Sequence, residues 1–186
     1  STRGSDHLRS RPAIDLYNLP PDVLQKIYGF PVRTRYTEYE DKPRMIWWQE
    51  ALYAVVDSLG ICKFQSVFLS PSMPQFVEYS KLLHLVAGIE MSPAQLLEAG
   101  DRIYNVERMF NVREGASRKD DYLSDRYYDE PTPIGLDIAR GKKIDRKKFD
   151  DMLDEYYQIH GWDAQGNPTA TTLKRLGLDK EPSHRL

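Results

Sequence analysis

Apolar residues recur at three- and four-residue spacing through most of the chain, the pattern of amphipathic helices. Pro20 and Pro21 predict the start of a short helix that Gly29 ends. From Pro43 the pattern predicts a longer helix that ends at Gly60. Its regularly spaced apolar positions are Met45, Trp48, Leu52, Val55, Val56 and Leu59.

The second half of the chain predicts further helices. One ends near Gly88 and carries Phe76, Tyr79, Leu82, Leu83 and Val86. Ser92 and Pro93 predict an N-cap and first turn of the longest helix, which ends before Gly115. The residues expected on one face of this helix are Leu96, Ala99, Ile103, Val106 and Phe110.

Two helices are predicted after residue 144. Asp145 is the expected cap of the first, and Thr169 begins a short last one. The residues expected to face inward on the first are Phe149, Met152, Leu153, Tyr156, Ile159 and His160. Stretch 32–41 is interpreted as a loop, and stretch 116–144 as a segment that wraps over the surface. The expected fold class is all-α with five or six helices.

Composition and charge exclude several classes of protein. A chain of 186 residues with 40% hydrophobic and 29% charged residues is long enough to bury a core. A net charge of -2 argues against a broad nucleic-acid surface. The apolar runs span only a few residues, whereas a membrane helix needs about 20, so we expect no membrane span.

Cysteine usage and the first residues suggest incompleteness. Cys62 is the single cysteine, so a disulfide framework or a self-contained zinc site is excluded. The sequence opens Ser1-Thr2-Arg3-Gly4, without Met or a signal-peptide pattern. We therefore expect a piece of a larger, cytoplasmic protein.

The stretch 57–64 is the first candidate site. Asp57 lies in the last turn of an apolar helix, where the helix dipole disfavours an acid, and Cys62 follows the helix-breaking Gly60. A carboxylate, a thiolate and backbone N–H groups could meet a cofactor there. The local alternative is a solvated Asp57, a helix-ending glycine and a free cysteine buried like a small hydrophobe.

The stretch 2–9 is the second candidate. It places Arg3, Asp6, His7 and Arg9 close to Thr2. Guanidinium groups suit anions, and imidazole transfers protons near neutral pH. The alternative is a frayed polar terminus.

Other polar and aromatic residues are interpreted as structural. His84 and His160, on apolar helix faces, are interpreted as core or boundary histidines. A packing role is expected for a group of tyrosines: Tyr122, Tyr127, Tyr128, Tyr156 and Tyr157. The chain carries neither a phosphate loop nor a dinucleotide fingerprint.

Two motifs in order resemble the C-terminal part of the tungsten-containing aldehyde ferredoxin oxidoreductase family. They are Arg-Gly-x-x-His-x-Arg over residues 3–9 and Asp-x-x-Gly-Ile-Cys over 57–62. Stretches 107–115, 118–123, 130–133, 153–157, 161–163 and 173–178 follow the family's order as well. The resemblance covers nearly the whole chain.

The resemblance implies a complete enzyme with tungstopterin, in which two molybdopterin-type ligands hold the metal, and a [4Fe–4S] cluster. Family members oxidise aldehydes to carboxylic acids, or run related low-potential reactions, and pass electrons to ferredoxin. Cys62 then corresponds to one cluster ligand and His7 to the histidine beside the metal. The positions implied for pterin binding are Thr2, Arg3, Asp6, Arg9, Asp57, Ile61 and Lys63.

The chain departs from the family pattern because the other cluster cysteines and the N-terminal pterin-binding domain are not in it. We expect residues 1–41 to form a cofactor-facing segment with one short helix, and residues 42–186 a helical C-terminal domain. The missing N-terminal portion and ferredoxin are the implied partners. We expect this piece alone to be inactive and without cofactor. The alternatives are a helical interaction module, or a subunit whose missing ligands come from another chain.

Overall fold

The computed structural model describes residues 2–4, 6, 8–11, 14, 17–33, 37–68, 70–134, 137 and 139–180. Seven α-helices span these residues: α1 Pro21–Tyr28, α2 Lys42–Ser58, α3 Phe76–Ala87, α4 Pro93–Arg113, α5 Arg126–Asp129, α6 Arg146–His160 and α7 Ala170–Arg175. Short 3-10 turns lie at Lys63–Gln65 and Arg118–Asp121. The described part of the chain contains no β-strand, and the predicted all-α class is confirmed.

Helix ends lie where the sequence predicts them. Ser92 accepts a hydrogen bond from the Gln95 amide at 3.2 Å, and the Gln95 side chain accepts one from the Ser92 amide at 2.8 Å. Asp145 caps α6 by accepting from the Lys148 amide at 2.9 Å. These side chains satisfy amides that have no partner within the first helical turn.

Helix α2 is the centre of the fold. Its residues from Ala51 to Val56 are all buried, because α4 and α6 both pack on it, while α3 packs on α4. Gly100 of α4 lies against the Ala51 backbone: a Cβ at residue 100 would lie 2.2 Å from the Ala51 carbonyl oxygen. The glycine therefore permits the close crossing of α2 and α4.

Two hydrophobic clusters hold the helices together. The larger joins α1, α2, α3 and the start of α4, with Trp48 in edge contact with Tyr28 and Phe76. The smaller consists of Tyr104, Leu153, Tyr157 and Trp162. Because Leu24 and Ile27 of α1 share the larger cluster with α2, the predicted segment 1–41 does not have a core of its own within the described residues. The boundary at residue 41 stays a prediction.

On α3 and α4 the regular apolar spacing does not coincide with the buried face. On α3, Leu82 and Val86 are exposed, and on α4 Val106 and Phe110 are half exposed. Leu96 is buried as its place in the apolar spacing suggests, and the other buried residues of α4 are Gly100, Asp101, Tyr104, Asn105 and Arg108. Most of these are polar, and their hydrogen bonds inside the protein allow burial that a hydrophobic period cannot reveal.

The histidines and tyrosines singled out in the sequence can also be compared with the structure. His160 is buried as expected, whereas His84 is exposed and lies 3.8 Å from Glu90. Tyr128 and Tyr157 pack in the interior, but Tyr127 is exposed. None of the helices in the described ranges is long and apolar enough to cross a membrane.

Candidate functional site

Three cations converge on one carboxylate at the carboxyl end of α2. Asp57 accepts hydrogen bonds from Arg3 at 2.9 Å and from Arg9 at 3.0 Å. Lys63 donates to both of its oxygens, at 2.6 and 2.8 Å. Arg3 and Arg9 come from the N-terminal segment and Lys63 from the 3-10 turn after Cys62, so the two stretches singled out in the sequence meet here. The cations offset the unfavourable position of an acid at a helix C-terminus.

Arg9 connects Asp57 to α4. The Arg9 side chain is only 2% exposed. Its guanidinium donates to Asp57 with one Nη and to Glu107 with the other. The guanidinium also lies over the Tyr104 ring, 5.6 Å from its centroid. This geometry is incompatible with a frayed polar terminus at Arg9.

Thr2 is held by α4 as well. Its hydroxyl donates to Glu107, its amide donates to the Tyr104 hydroxyl at 3.1 Å, and its carbonyl accepts from Asn111 at 2.7 Å. Sequence reasoning assigned no role to Tyr104, Glu107 or Asn111. The sequence feature that could have revealed them is their spacing of three and four residues, which places all three on one face of a helix.

Cys62 lies outside the core. Gly60 adopts the left-handed conformation after α2, Ile61 is half-buried against the larger cluster, and the Cys62 thiol is exposed. The alternative of a cysteine buried as a small hydrophobe is therefore wrong. An exposed thiol close to Lys63 and five residues from Asp57 is open to a ligand.

Asp6 and His7 were also predicted site residues. Asp6 accepts from the Leu8 amide at 3.0 Å and lies 3.7 Å from Arg3, so its observed contacts fix the local turn. His7 lies outside the described residues.

The site is electrically balanced. Arg3, Arg9 and Lys63 face the carboxylates of Asp57, Glu107 and Asp6. Within the described ranges no group of three or more His, Cys, Asp or Glu side chains could hold a metal ion. What this surface offers a ligand is one thiol, a carboxylate held by cations, and polar groups of the N-terminal segment.

Comparisons with known proteins identify the family of the chain. Residues 1–178 match the family model described as "Aldehyde ferredoxin oxidoreductase, domains 2 & 3". The chain belongs to the aldehyde ferredoxin oxidoreductase family. The predicted resemblance is confirmed, and it extends over almost the whole sequence.

Curated members of the family are similar along nearly the full chain. The tungsten-containing aldehyde ferredoxin oxidoreductase of Pyrococcus horikoshii is 30% identical over 97% of this chain, and that of Pyrococcus furiosus 29% over 96%. An aliphatic sulfonate oxidoreductase, WOR-like subunit, of Pyrococcus furiosus is 31% identical over 69% of this chain. The chain spans 27% and 26% of the first two relatives, about a quarter of their length.

A solved structure has the same fold. The active site complex BamBC of benzoyl coenzyme A reductase, in complex with 1,5-dienoyl-CoA, matches with a TM-score of 0.64 and 27% identity. The match covers 87% of this chain and 24% of that one. The chain therefore corresponds to one portion of larger oxidoreductases, and the aldehyde ferredoxin oxidoreductases among them are tungsten-containing.

Proposed function

We propose that this chain is the C-terminal portion of a tungstopterin, iron–sulfur oxidoreductase that oxidises aldehydes to carboxylic acids or runs a related low-potential reaction. The observation that carries the proposal is the convergence of Arg3, Arg9 and Lys63 on Asp57 beside the exposed Cys62. The motifs that carry the family resemblance are thus brought together by the fold.

The residues present fit one edge of such a cofactor site. Iron–sulfur clusters are bound by cysteine thiolates, and the exposed Cys62 can supply one of them. The other ligands come from the remainder of the enzyme. When bound, the tungstopterin and the [4Fe–4S] cluster supply the redox chemistry and the route for electrons to ferredoxin.

Each polar residue of the site has a separate task. Lys63 and Arg3 hold the Asp57 carboxylate in place, where it would accept hydrogen bonds from pterin N–H groups. Arg9 is buried and acts by holding Asp57 and Glu107 together. Thr2, Asp6 and Ile61 would line the cofactor, and His7 would serve as the proton donor or acceptor on the side of the metal.

The exposed face of α3 fits the partner that this proposal requires. Leu82, Leu85 and Val86 of α3 are exposed, Leu85 and Val86 to 77% and 84%, and Ile89 just beyond the helix is exposed as well. Exposed apolar stripes are typical of interaction surfaces. We assign this face to contact with the N-terminal portion of the enzyme.

The proposal is tested by replacing Cys62 in the native enzyme. We expect Cys62→Ser to lose the [4Fe–4S] electron paramagnetic resonance signal and most of the iron. The control is Gln65→Ala, since Gln65 is an exposed residue of the adjoining 3-10 turn. Unchanged iron content and an unchanged signal in Cys62→Ser would refute the assignment.

A further inference from the structure

A buried carboxylate lies in the middle of α2. The side chains of Glu50 and His160 are each 1% exposed. Glu50 accepts hydrogen bonds from the hydroxyls of Tyr104 at 2.6 Å and Tyr156 at 2.9 Å, and lies 3.2 Å from His160 Nε2. Glu50 thus ties α2 to both α4 and α6.

The direction of the Tyr104 hydrogen bonds is fixed. Burial and the Glu50 carboxylate hold the pKa of Tyr104 well above its usual value, so its hydroxyl keeps its proton. A hydroxyl has a single proton, and here it is donated to Glu50. The oxygen is left as an acceptor, and the Thr2 amide donates to it at 3.1 Å.

The same face of α4 continues this contact. Glu107 and Asn111 lie three and seven residues after Tyr104 and bind the hydroxyl and the carbonyl of Thr2. Glu107 also accepts from Arg9, whose guanidinium lies over the Tyr104 ring. The path from Glu50 through Tyr104 therefore ends at Thr2 and Arg9, and Arg9 pairs with Asp57.

We propose that Tyr104, anchored by Glu50, is a positioning residue that fixes Thr2 and Arg9, and through Arg9 the Asp57 carboxylate. Replacing a buried ionic network with well-packed apolar residues is often neutral or stabilising, so such a network is weak evidence of a role in stability alone. We therefore expect the hydrogen bonds of Glu50 and Tyr104 to fix the position of the N-terminal segment. Its relevance to the cofactor rests on the proposed function.

The test compares two tyrosine hydroxyls in the 186-residue chain. Tyr104→Phe removes the hydroxyl that faces Thr2. Tyr157→Phe is the matched control, because Tyr157 is also buried and donates to a carboxylate, that of Asp121, at 2.5 Å. The measurement is the solvent exchange rate of the Arg9 guanidinium protons by nuclear magnetic resonance. We expect exchange about tenfold faster in Tyr104→Phe, equivalent to about 1.4 kcal/mol, and no change in Tyr157→Phe.

A second pair tests the same contact from the segment side, whether or not Tyr104→Phe folds. Thr2→Pro removes the amide proton and the hydroxyl, whereas Thr2→Ala removes only the hydroxyl. We expect faster Arg9 exchange in Thr2→Pro than in Thr2→Ala.

The positioning role would be overturned if Arg9 exchanged at the same rate in Tyr104→Phe as in Tyr157→Phe, and at the same rate in Thr2→Pro as in Thr2→Ala. That result would leave the iron content of Cys62→Ser unaffected. The failure of this inference is therefore distinguishable from failure of the proposed function.

Discussion

At the scale of single residues, the site depends on buried polar groups whose partners are distant in sequence. Arg9 and Asp57 are 48 residues apart, and the Tyr104 hydroxyl lies against Thr2 across 102 residues. The family resemblance predicted that Arg9 and Asp57 belong to one site. A hydrophobic period could not reveal Glu50, Tyr104 or Glu107, because polar residues are ordinarily solvated. Only the fold shows that their partners lie inside the protein.

Arg9→Ala should destabilise the chain more than the loss of a surface pair. Removing the guanidinium leaves Asp57 and Glu107 near each other without their shared cation. Since those carboxylates are about a third exposed and can regain water, we expect a loss of about 2 kcal/mol in the free energy of unfolding.

The control for this variant is Arg33→Ala. Arg33 pairs with Glu40 on the surface, so its loss should cost about 0–1 kcal/mol. Urea unfolding measures both. Equal effects of Arg9→Ala and Arg33→Ala would contradict a structural role for the buried guanidinium.

At the scale of elements, helix ends are more predictable from sequence than helix faces. Caps such as Ser92 and Asp145 act on neighbouring residues, so local sequence contains the whole signal. Which face of a helix is buried depends on the elements that pack against it. The apolar residues Leu82 and Val86 are exposed on α3, where no described element covers them.

Gly100→Ala tests the crossing of α2 and α4. In an ordinary helix interior this change stabilises by about 1 kcal/mol. Here the new methyl group would collide with the Ala51 carbonyl oxygen, so we expect a net loss of about 1–3 kcal/mol in the free energy of unfolding. A Gly100→Ala variant that unfolds at higher temperature than the parent chain would show that the helices can separate without cost.

The turn after α6 should make stability depend on pH in the acid range. Hydrogen bonds from the Asn167 side chain and from backbone amides lower the pKa of Asp163 below its ordinary value of 3.8. The unfolded chain therefore binds a proton here before the folded chain does. The stabilising contribution is full above the ordinary value and is lost as pH falls through and below it.

Asp163→Asn removes this titration. The parent chain should be the more stable above about pH 5, and the difference between the two should shrink as the solution is acidified below about pH 4. Urea unfolding at several pH values measures it. A difference that stays constant down to pH 2 would contradict the assignment.

At the scale of the whole molecule, the chain corresponds to one portion of larger oxidoreductases. It spans about a quarter of its tungsten-containing relatives and contains one exposed cysteine. The sequence predicted the family and the all-α class. It did not indicate that Leu82, Leu85 and Val86 of α3 would be exposed, because the apolar spacing that predicts a helix does not show what covers each face.

The central claim is that this chain supplies part of a cofactor site and not the whole of it. Anaerobic purification followed by tungsten and iron analysis tests it most directly, with the 186-residue chain alone measured beside the native assembly that contains it. We predict stoichiometric tungsten and iron in the assembly and neither metal in the chain alone. Stoichiometric tungsten and iron on the isolated chain, or their lack in the native assembly, would contradict the account.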